Sequence, residues 1–165
     1  MLRMHAARTA AEQEATRPAR PGLDPIRLVL ADRLLDGWTR TDGQRMTDLL
    51  QRGDPIPFLP ADARGEAWTE FLPYDVLLLV PPPHVSAPEV RVHRQRHEVM
   101  VRVGEWVVSG TAHLRPGEGT DYYLRATRPY LPLTDAMFAG PNDGYPHEVE
   151  TVIVNLVRVE EFREV

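Results

Sequence analysis

The sequence predicts a mainly β protein made of two tandem small β-barrel-like units, each with one short helix. Short segments in which apolar and polar residues alternate are typical of half-buried strands. The chain also matches itself at a separation of 73 residues, and the proline run Pro81–Pro83 divides it into two similar parts. We therefore expect a disordered tail, a first unit, a stiff linker and a second unit, over residues 1–22, 23–80, 81–89 and 90–165.

The composition excludes several classes of site. The 165 residues contain no Cys and no Lys, and 19 positive charges, all Arg, oppose 24 acidic side chains, for a net charge of −5. Disulfides, thiolate nucleophiles, Schiff-base lysines and the lysine of a phosphate-binding loop are therefore excluded. No stretch approaches the ~20 apolar residues of a membrane span. We expect a cytoplasmic protein with no cofactor and no membrane contact.

The internal match aligns Ile26–Ala63 with Val99–Ala136 without a gap. The final apolar segments, Val76–Val80 and Ile153–Val157, then align after a four-residue insertion in the second copy. We interpret the match as a duplication. The identities fall at Gly37/Gly110, Thr47/Thr120, Asp48/Asp121, Arg52/Arg125, Asp62/Asp135 and Ala63/Ala136.

Each copy has the same predicted order of elements. One alternating strand comes first, Ile26–Leu30 or Val99–Val103, and a second strand follows through Gly37 or Gly110. A glycine inside a strand indicates a bulge or a close approach of two backbones. A short helix, a strand and a last apolar strand complete each copy, at Gln44–Arg52, Ile56–Leu59 and Asp75–Val80, and at Gly119–Ala126, Tyr130–Leu133 and Thr151–Val159.

Asp42 is expected to cap the first helix and Gly53 to end it. Units of about 60–70 residues are marginally stable alone. We therefore expect the two copies to pack together through their apolar strands as a pseudo-twofold pair.

The second copy resembles an uncharacterised bacterial small β-domain family. The resemblance rests on the segments Ser109–Gly117, Thr120–Leu124 and Tyr130–Ala136, which contain a turn of the His-Leu-Pro-Gly type and a Leu-Pro-Leu-Thr-Asp-Ala strand. The first copy matches through Leu35–Gly37 and Phe58–Ala63 and lacks that turn. The resemblance implies a compact β fold, analogous to Sm- or SH3-like barrels, and implies no activity.

A basic segment is the most visible candidate binding site. Residues 91–102 contain four arginines and two histidines spaced four residues apart. Such a segment can bind phosphate or an acidic surface. The two histidines have a spacing that allows them to bind a metal. Outside the segment, the rings of Tyr122 and Tyr123 can stack on bases. A solvated polar strand explains the same residues without a ligand. The candidate binding residues are Arg91, His93, Arg94, Arg96, His97, Tyr122 and Tyr123.

Eight further residues define the repeat and are expected to be structural. Asp48 and Arg52 are spaced as an ion pair on a helix, as are Asp121 and Arg125. A catalytic pair of Asp48 with Asp121 across the pseudo-twofold is the alternative reading. Asp62 and Asp135 are expected to hold strand-end turns. Gly37 and Gly110 complete the set.

We therefore expect a non-enzymatic interaction or adaptor protein that presents sheet edges to a protein partner or to a second copy of itself. An RNA- or DNA-binding module that uses the Arg91–Arg102 face is the alternative. No nucleophile elbow or metal-binding motif favours an enzyme. An enzyme would be favoured if polar side chains from both copies converged in one pocket.

Overall fold

The computed structural model describes residues 20–83, 94–117 and 128–165. Within these ranges the chain forms one α-helix, α1 (Met46–Arg52), and two short 3-10 helices, Pro73–Asp75 and Leu156–Arg158. The strands are β1 (Asp24–Val29), β2 (Leu34–Thr39), β3 (Ile56–Pro60), β4 (Thr69–Phe71), β5 (Leu78–Val80), β6 (Gln95–Val103), β7 (Trp106–Leu114), β8 (Tyr130–Ala139), β9 (His147–Asn155) and β10 (Val159–Glu164). The second predicted helix, Gly119–Ala126, falls mainly in 118–127, outside these ranges.

The strands form one antiparallel sheet in the order β10-β6-β7-β8-β9-β5-β1-β2-β3-β4. The mainly β prediction is confirmed. The sheet is not closed, so neither half is the expected barrel. The physical reason lies in β5, which pairs with β1 on one side and with β9 on the other. The edge that would close the first half on itself instead joins it to the second half.

The two halves have the same strand order and the same register. The first half reads β5-β1-β2-β3-β4 and the second reads β10-β6-β7-β8-β9. Apart from Gly37–Pro60, whose position in the second half is a bulge, residue pairs of the first half become pairs of the second by a constant shift within each strand. The shift is 73 for numbers in β1 and β2, 75 in β3, and 83 in β4 and β5. Examples are Trp38–Leu59 with Thr111–Thr134, Ile56–Phe71 with Leu131–Val154, and Val29–Leu78 with Arg102–Glu161.

These registers correct two parts of the sequence alignment. Asp135 lies opposite Gly110 where Pro60 lies opposite Gly37, so Asp62 is not its counterpart, because the connection before β8 is two residues longer than the connection before β3. Asp62 lies in an exposed turn after β3, whereas Asp135 lies inside β8 with φ 48°. The segments Val76–Val80 and Ile153–Val157 are not counterparts either, since β5 and β9 pair with each other in the middle of the sheet.

Both predicted glycine contacts are confirmed. A Cβ on Gly37 would lie 2.2 Å from the carbonyl oxygen of Leu59, and a Cβ on Gly110 would lie 3.1 Å from that of Thr134. Leu59 and Thr134 are counterparts, so the two close approaches occur at the same place in each half. Opposite Gly110 the register of β7 with β8 shifts by one residue, so that Asp135 and Ala136 together oppose Gly110 in a bulge.

The halves bury opposite faces of the continuous sheet. Residues directly opposite each other in an antiparallel pair point to the same face. Leu78 and Val154 are such a pair and belong to the core of the second half, whereas their neighbours Leu79 and Ile153 belong to that of the first. Neighbouring strands of an antiparallel sheet run in opposite directions, and counterpart strands are five positions apart, so counterpart strands also run in opposite directions. With the strand order kept, this reversal places the buried face of the second half on the opposite side of the sheet.

The expected pseudo-twofold pairing is therefore wrong. A twofold axis at the join would place counterpart strands side by side, but the join is between β9 and β5, whose counterparts are β4 and β10. The halves do meet through apolar strands, as edge neighbours in a head-to-tail arrangement.

Helix α1 covers the core of the first half with Met46 and Leu50. It ends at Gly53, which has φ 74° as the sequence predicted. The predicted cap is wrong: Arg45 occupies the N-cap position, and Asp42 instead forms a turn with Gly43, at φ 49° and 77°. Residues 20–22 of the predicted tail lead into β1, and residues 1–19 lie outside the described ranges.

Gly37→Ala is expected to destabilise the protein by about 3 kcal/mol, because its Cβ would overlap Leu59 and the ring of Phe58. Gly110→Ala, with its longer contacts, is expected to cost about 1 kcal/mol. Urea unfolding measures both. Gly144→Ala is the control, since nothing lies within 4 Å of its Cβ. Equal costs for Gly37→Ala and Gly144→Ala would contradict the close approach.

Alkaline pH is expected to weaken the folded state through Tyr130. Burial raises the pKa of this phenol above its ordinary value. Its contribution to stability is complete below pH 10 and is lost as the pH rises through the raised pKa. Because the chain has no Lys, no lysine titration overlaps this range. Thermal unfolding of Tyr130→Phe should show a smaller alkaline decline than wild type or the exposed control Tyr145→Phe.

Candidate functional site

A cleft of about 500 Å³ lies between the two halves. Its volume is in the range of sites that bind small molecules or single peptide segments. The first half contributes Asp24, Thr41, Gly43, Gln44, Arg45, Met46, Thr47, Val80 and Pro81–Pro83, and the second contributes Pro132, Glu150, Thr151 and Ile153. Polar side chains from both halves therefore converge in one pocket.

One wall of the cleft is fixed by a hydrogen-bonded turn. The backbone N–H and the hydroxyl of Thr41 both donate to Oδ2 of Asp24, at 3.0 and 2.7 Å. These bonds tie the loop after β2 to the start of β1. The turn that follows is closed by the N–H of Gln44, which donates to the carbonyl of Thr41 at 2.9 Å. The start of α1 is thereby held against the cleft.

The opposite wall includes an edge of β9 that extends beyond the end of its neighbouring strand, β5. On one side β9 pairs with β8 along its whole length. On the other side it pairs with β5 only at Ile153 and Val154, because β5 ends at Val80 and prolines cannot donate to a sheet ladder. Within the described part of the chain, residues 147–152 of β9 have no strand on this side.

Backbone groups of β9 are directed to this open side. Asn155 donates its N–H to the carbonyl of Leu77, which precedes β5. Since N–H groups alternate between the two sides of an antiparallel strand, those of Ile153 and Thr151 point the same way. Beyond the end of β5, Thr151 thus presents its N–H and carbonyl groups at the cleft.

The cleft combines an apolar floor with hydrogen-bond acceptors. Met46, Val80 and Ile153 are all buried. Pro81–Pro83 offer carbonyl oxygens and no N–H. Glu150 lines the cleft and Glu148 lies two residues away on the same strand, and both are exposed. Arg45, at the exposed rim, is the cation among the described lining residues. The site favours a ligand that brings donors or positive charge.

The described part of the basic segment predicted from sequence lies elsewhere, on β6 and just before it, and Arg96 and Arg102 are paired there with carboxylates. Arg102 contacts Glu160 and Glu161 of β10, and Nδ1 of His97 lies 2.6 Å from Oε1 of Glu164. Arg96 lies 3.7 Å from a carboxylate oxygen of Asp135 on β8. Arg94 is exposed just before β6. The remaining predicted residues, Arg91, His93, Tyr122 and Tyr123, lie outside the described ranges.

The acidic strand β10 is itself held by these arginines. Glu161 contacts Arg163 on its own strand and Arg102 on β6. The hydrogen bond and the charge of Arg163, followed by those of Arg102, hold the pKa of the Glu161 carboxyl below its ordinary value. This carboxylate stays charged into the acidic range. The surface of β6 and β10 is a mixed ion-pair network rather than a basic patch.

The two Asp–Arg pairs that were expected to be structural differ in whether the structure describes them. Asp48 and Arg52 are exposed in the first and last turns of α1, and within the described residues no ion pair joins them. Asp121 and Arg125 lie outside the described ranges, and so does the catalytic pair that would need Asp121. No group of three His, Asp or Glu side chains in the described ranges is placed to hold a metal.

Comparisons with protein-family models, curated proteins and solved structures return no match to this chain. Within residues 20–83, 94–117 and 128–165, no helix has the length and apolar character needed to cross a membrane. The cleft and the open edge of β9 therefore carry the functional argument without help from relatives.

Proposed function

We propose that the chain is a duplicated five-stranded β unit that works as a protein-interaction or adaptor protein. A partner protein supplies an extended segment, which adds as a strand to the open edge of β9 inside the cleft between the halves. The observation that carries this proposal is the early end of β5, because within the described residues it leaves 147–152 of β9 without a neighbouring strand on the side of the cleft.

Register supports the duplication. Two β segments that are similar by chance need not have the same pairing partners across four strand pairs. In the two halves, however, counterpart residues pair with counterpart residues throughout β1–β2 and β6–β7, and the pair Trp38–Leu59 corresponds to Thr111–Thr134. The close approach at Gly37 recurs at Gly110 with counterpart neighbours.

Strand geometry supports an extended partner. Six residues of open edge span about 20 Å, which is enough for several main-chain hydrogen bonds. Strand addition obtains affinity from such bonds and specificity from alternate side chains. Met46 and Ile153, which share one core of the sheet, offer an apolar surface for one face of the added segment.

Charge supports a basic segment. Glu148 and Glu150 are exposed on the open strand, and the whole chain carries a net charge of −5. Opposite charges on neighbouring strands stabilise a pair by about 0.2–1 kcal/mol each. A segment in which arginine or lysine alternates with an aliphatic residue matches both the carboxylates and the floor.

Two other functions receive less support. Polar groups from both halves do converge in the cleft, as an enzyme would require. However, its described lining contains no histidine or serine, and the hydroxyl of Thr41 that contacts Asp24 is already used to hold the turn after β2. Nucleic-acid binding by the β6 face is weakened because Arg96 and Arg102 already contact carboxylates.

The test uses a fluorescent peptide of alternating Arg and Val residues and measures its binding by anisotropy. Thr151→Pro removes a cleft-facing N–H without removing a bond to β8, and should weaken binding by about tenfold. Glu148→Gln and Glu150→Gln should each weaken it by about two- to fivefold.

Two controls accompany this experiment. Glu105→Gln removes an exposed charge outside the cleft and should leave peptide affinity unchanged. A Glu–Val peptide should bind much more weakly than the Arg–Val peptide. The proposal fails if Thr151→Pro binds like wild type. Salt-sensitive binding of single-stranded nucleic acid that is lost in Arg96→Ala would favour the alternative instead.

A further inference from the structure

We infer that Glu70 and Glu161 prevent head-to-tail association of this chain. In such an association the outer strand β4 of one molecule would pair with the outer strand β10 of a second copy, and the sheet would continue from one molecule into the next. This surface is separate from the cleft and does not depend on peptide binding at β9. It depends on the register that the two halves share. The partner that it fits is another copy of the same chain.

The two outer edges are counterparts of the two edges that are joined inside the chain. The inner join pairs β9 with β5. The counterpart of β9 is β4, and the counterpart of β5 is β10, so a β4 edge and a β10 edge from two molecules have the backbone arrangement of the inner join. With the shift of 83 residues, the inner pairs Leu78–Val154 and Leu79–Ile153 correspond to outer pairs Glu161–Phe71 and Phe162–Glu70.

The chemistry of these pairs differs between the inner and the outer positions. The four inner residues are aliphatic and at most 3% exposed. In each outer pair a carboxylate would face an aromatic ring. Glu161 would have to lose water while it keeps its contacts with Arg102 and Arg163, and Glu70 would be buried without a described partner. Burying an unpaired charge is strongly unfavourable.

A second observation indicates that the edges are otherwise suited to meet. Leu72 and Val157 are 48% and 52% exposed. They are the counterparts of Asn155 and Tyr74, which touch at the inner join through Nδ2 of Asn155 and the carbonyl of Tyr74, 3.3 Å apart. Apolar residues thus occupy outer positions whose inner counterparts are in contact, while the carboxylates of Glu70 and Glu161 oppose the join on the outer strands β4 and β10.

A join of this kind does not close. The surface on β4 differs from the surface on β10, so each added molecule leaves the same two edges open. Removal of the charges should therefore produce a series of oligomers, whereas a symmetric interface would stop at a dimer.

The experiment compares the wild-type chain with Glu70→Val/Glu161→Leu by sedimentation. The average mass of the variant should at least double over about a tenfold rise in concentration, with species beyond the dimer. The control Glu66→Val/Glu105→Leu makes the same changes at exposed positions outside the edges and should keep the wild-type mass. A folded edge variant with the mass of the control would overturn the inference.

A milder pair, Glu70→Gln/Glu161→Gln, removes both charges without adding apolar surface and tests the same point if the first variant does not fold.

The direction of the join is tested by thiol cross-linking, because the chain has no Cys of its own. Thr69→Cys and Arg163→Cys are introduced separately into the edge variant.

Mixing the two thiol variants should give disulfide-linked heterodimers, whereas each alone should remain uncross-linked. Cross-links within either single variant would indicate a symmetric interface and would overturn the inference. Peptide affinity at β9 should be unchanged in the edge variant, so a failure here is distinguishable from a failure of the proposed function.

Discussion

The pairing of β9 with β5 is the interaction on which the rest of this architecture depends. It makes one sheet from two halves, and it involves only the residues around Leu78–Leu79 and Ile153–Val154. Its short length follows from Pro81–Pro83, which cannot continue the ladder. The same three prolines therefore determine both where the halves are joined and where β9 becomes available to a partner.

The local elements were predictable from sequence because their signals are local. Alternation located β1 and β6, and Gly53 located the end of α1. The long-range arrangement was not predictable in the same way. Two strongly apolar segments, Val76–Val80 and Ile153–Val157, have the composition expected both of counterparts and of neighbours in a sheet. Hydrophobic pattern reports burial and does not report which strand lies alongside.

The candidate site was missed for a related reason. Arginines close together in sequence suggested a basic patch, but the carboxylates that pair with Arg102 come from β10, almost sixty residues later. Conversely, Asp24 and Glu150 are far apart in sequence and line one cleft. The proline run was visible as a break in the chain, and its effect on β9 required knowledge of which strands flank β5.

The odd number of strands in each half has a consequence for a longer chain built from more than two such units. Since successive units bury alternate faces, a third unit joined by the same rule would open its own recess on the reverse of the sheet. Such a chain would be a ribbon with docking positions on its front and back in turn. A unit with an even number of strands would align every recess on one side, so strand parity alone selects between one-sided and two-sided display.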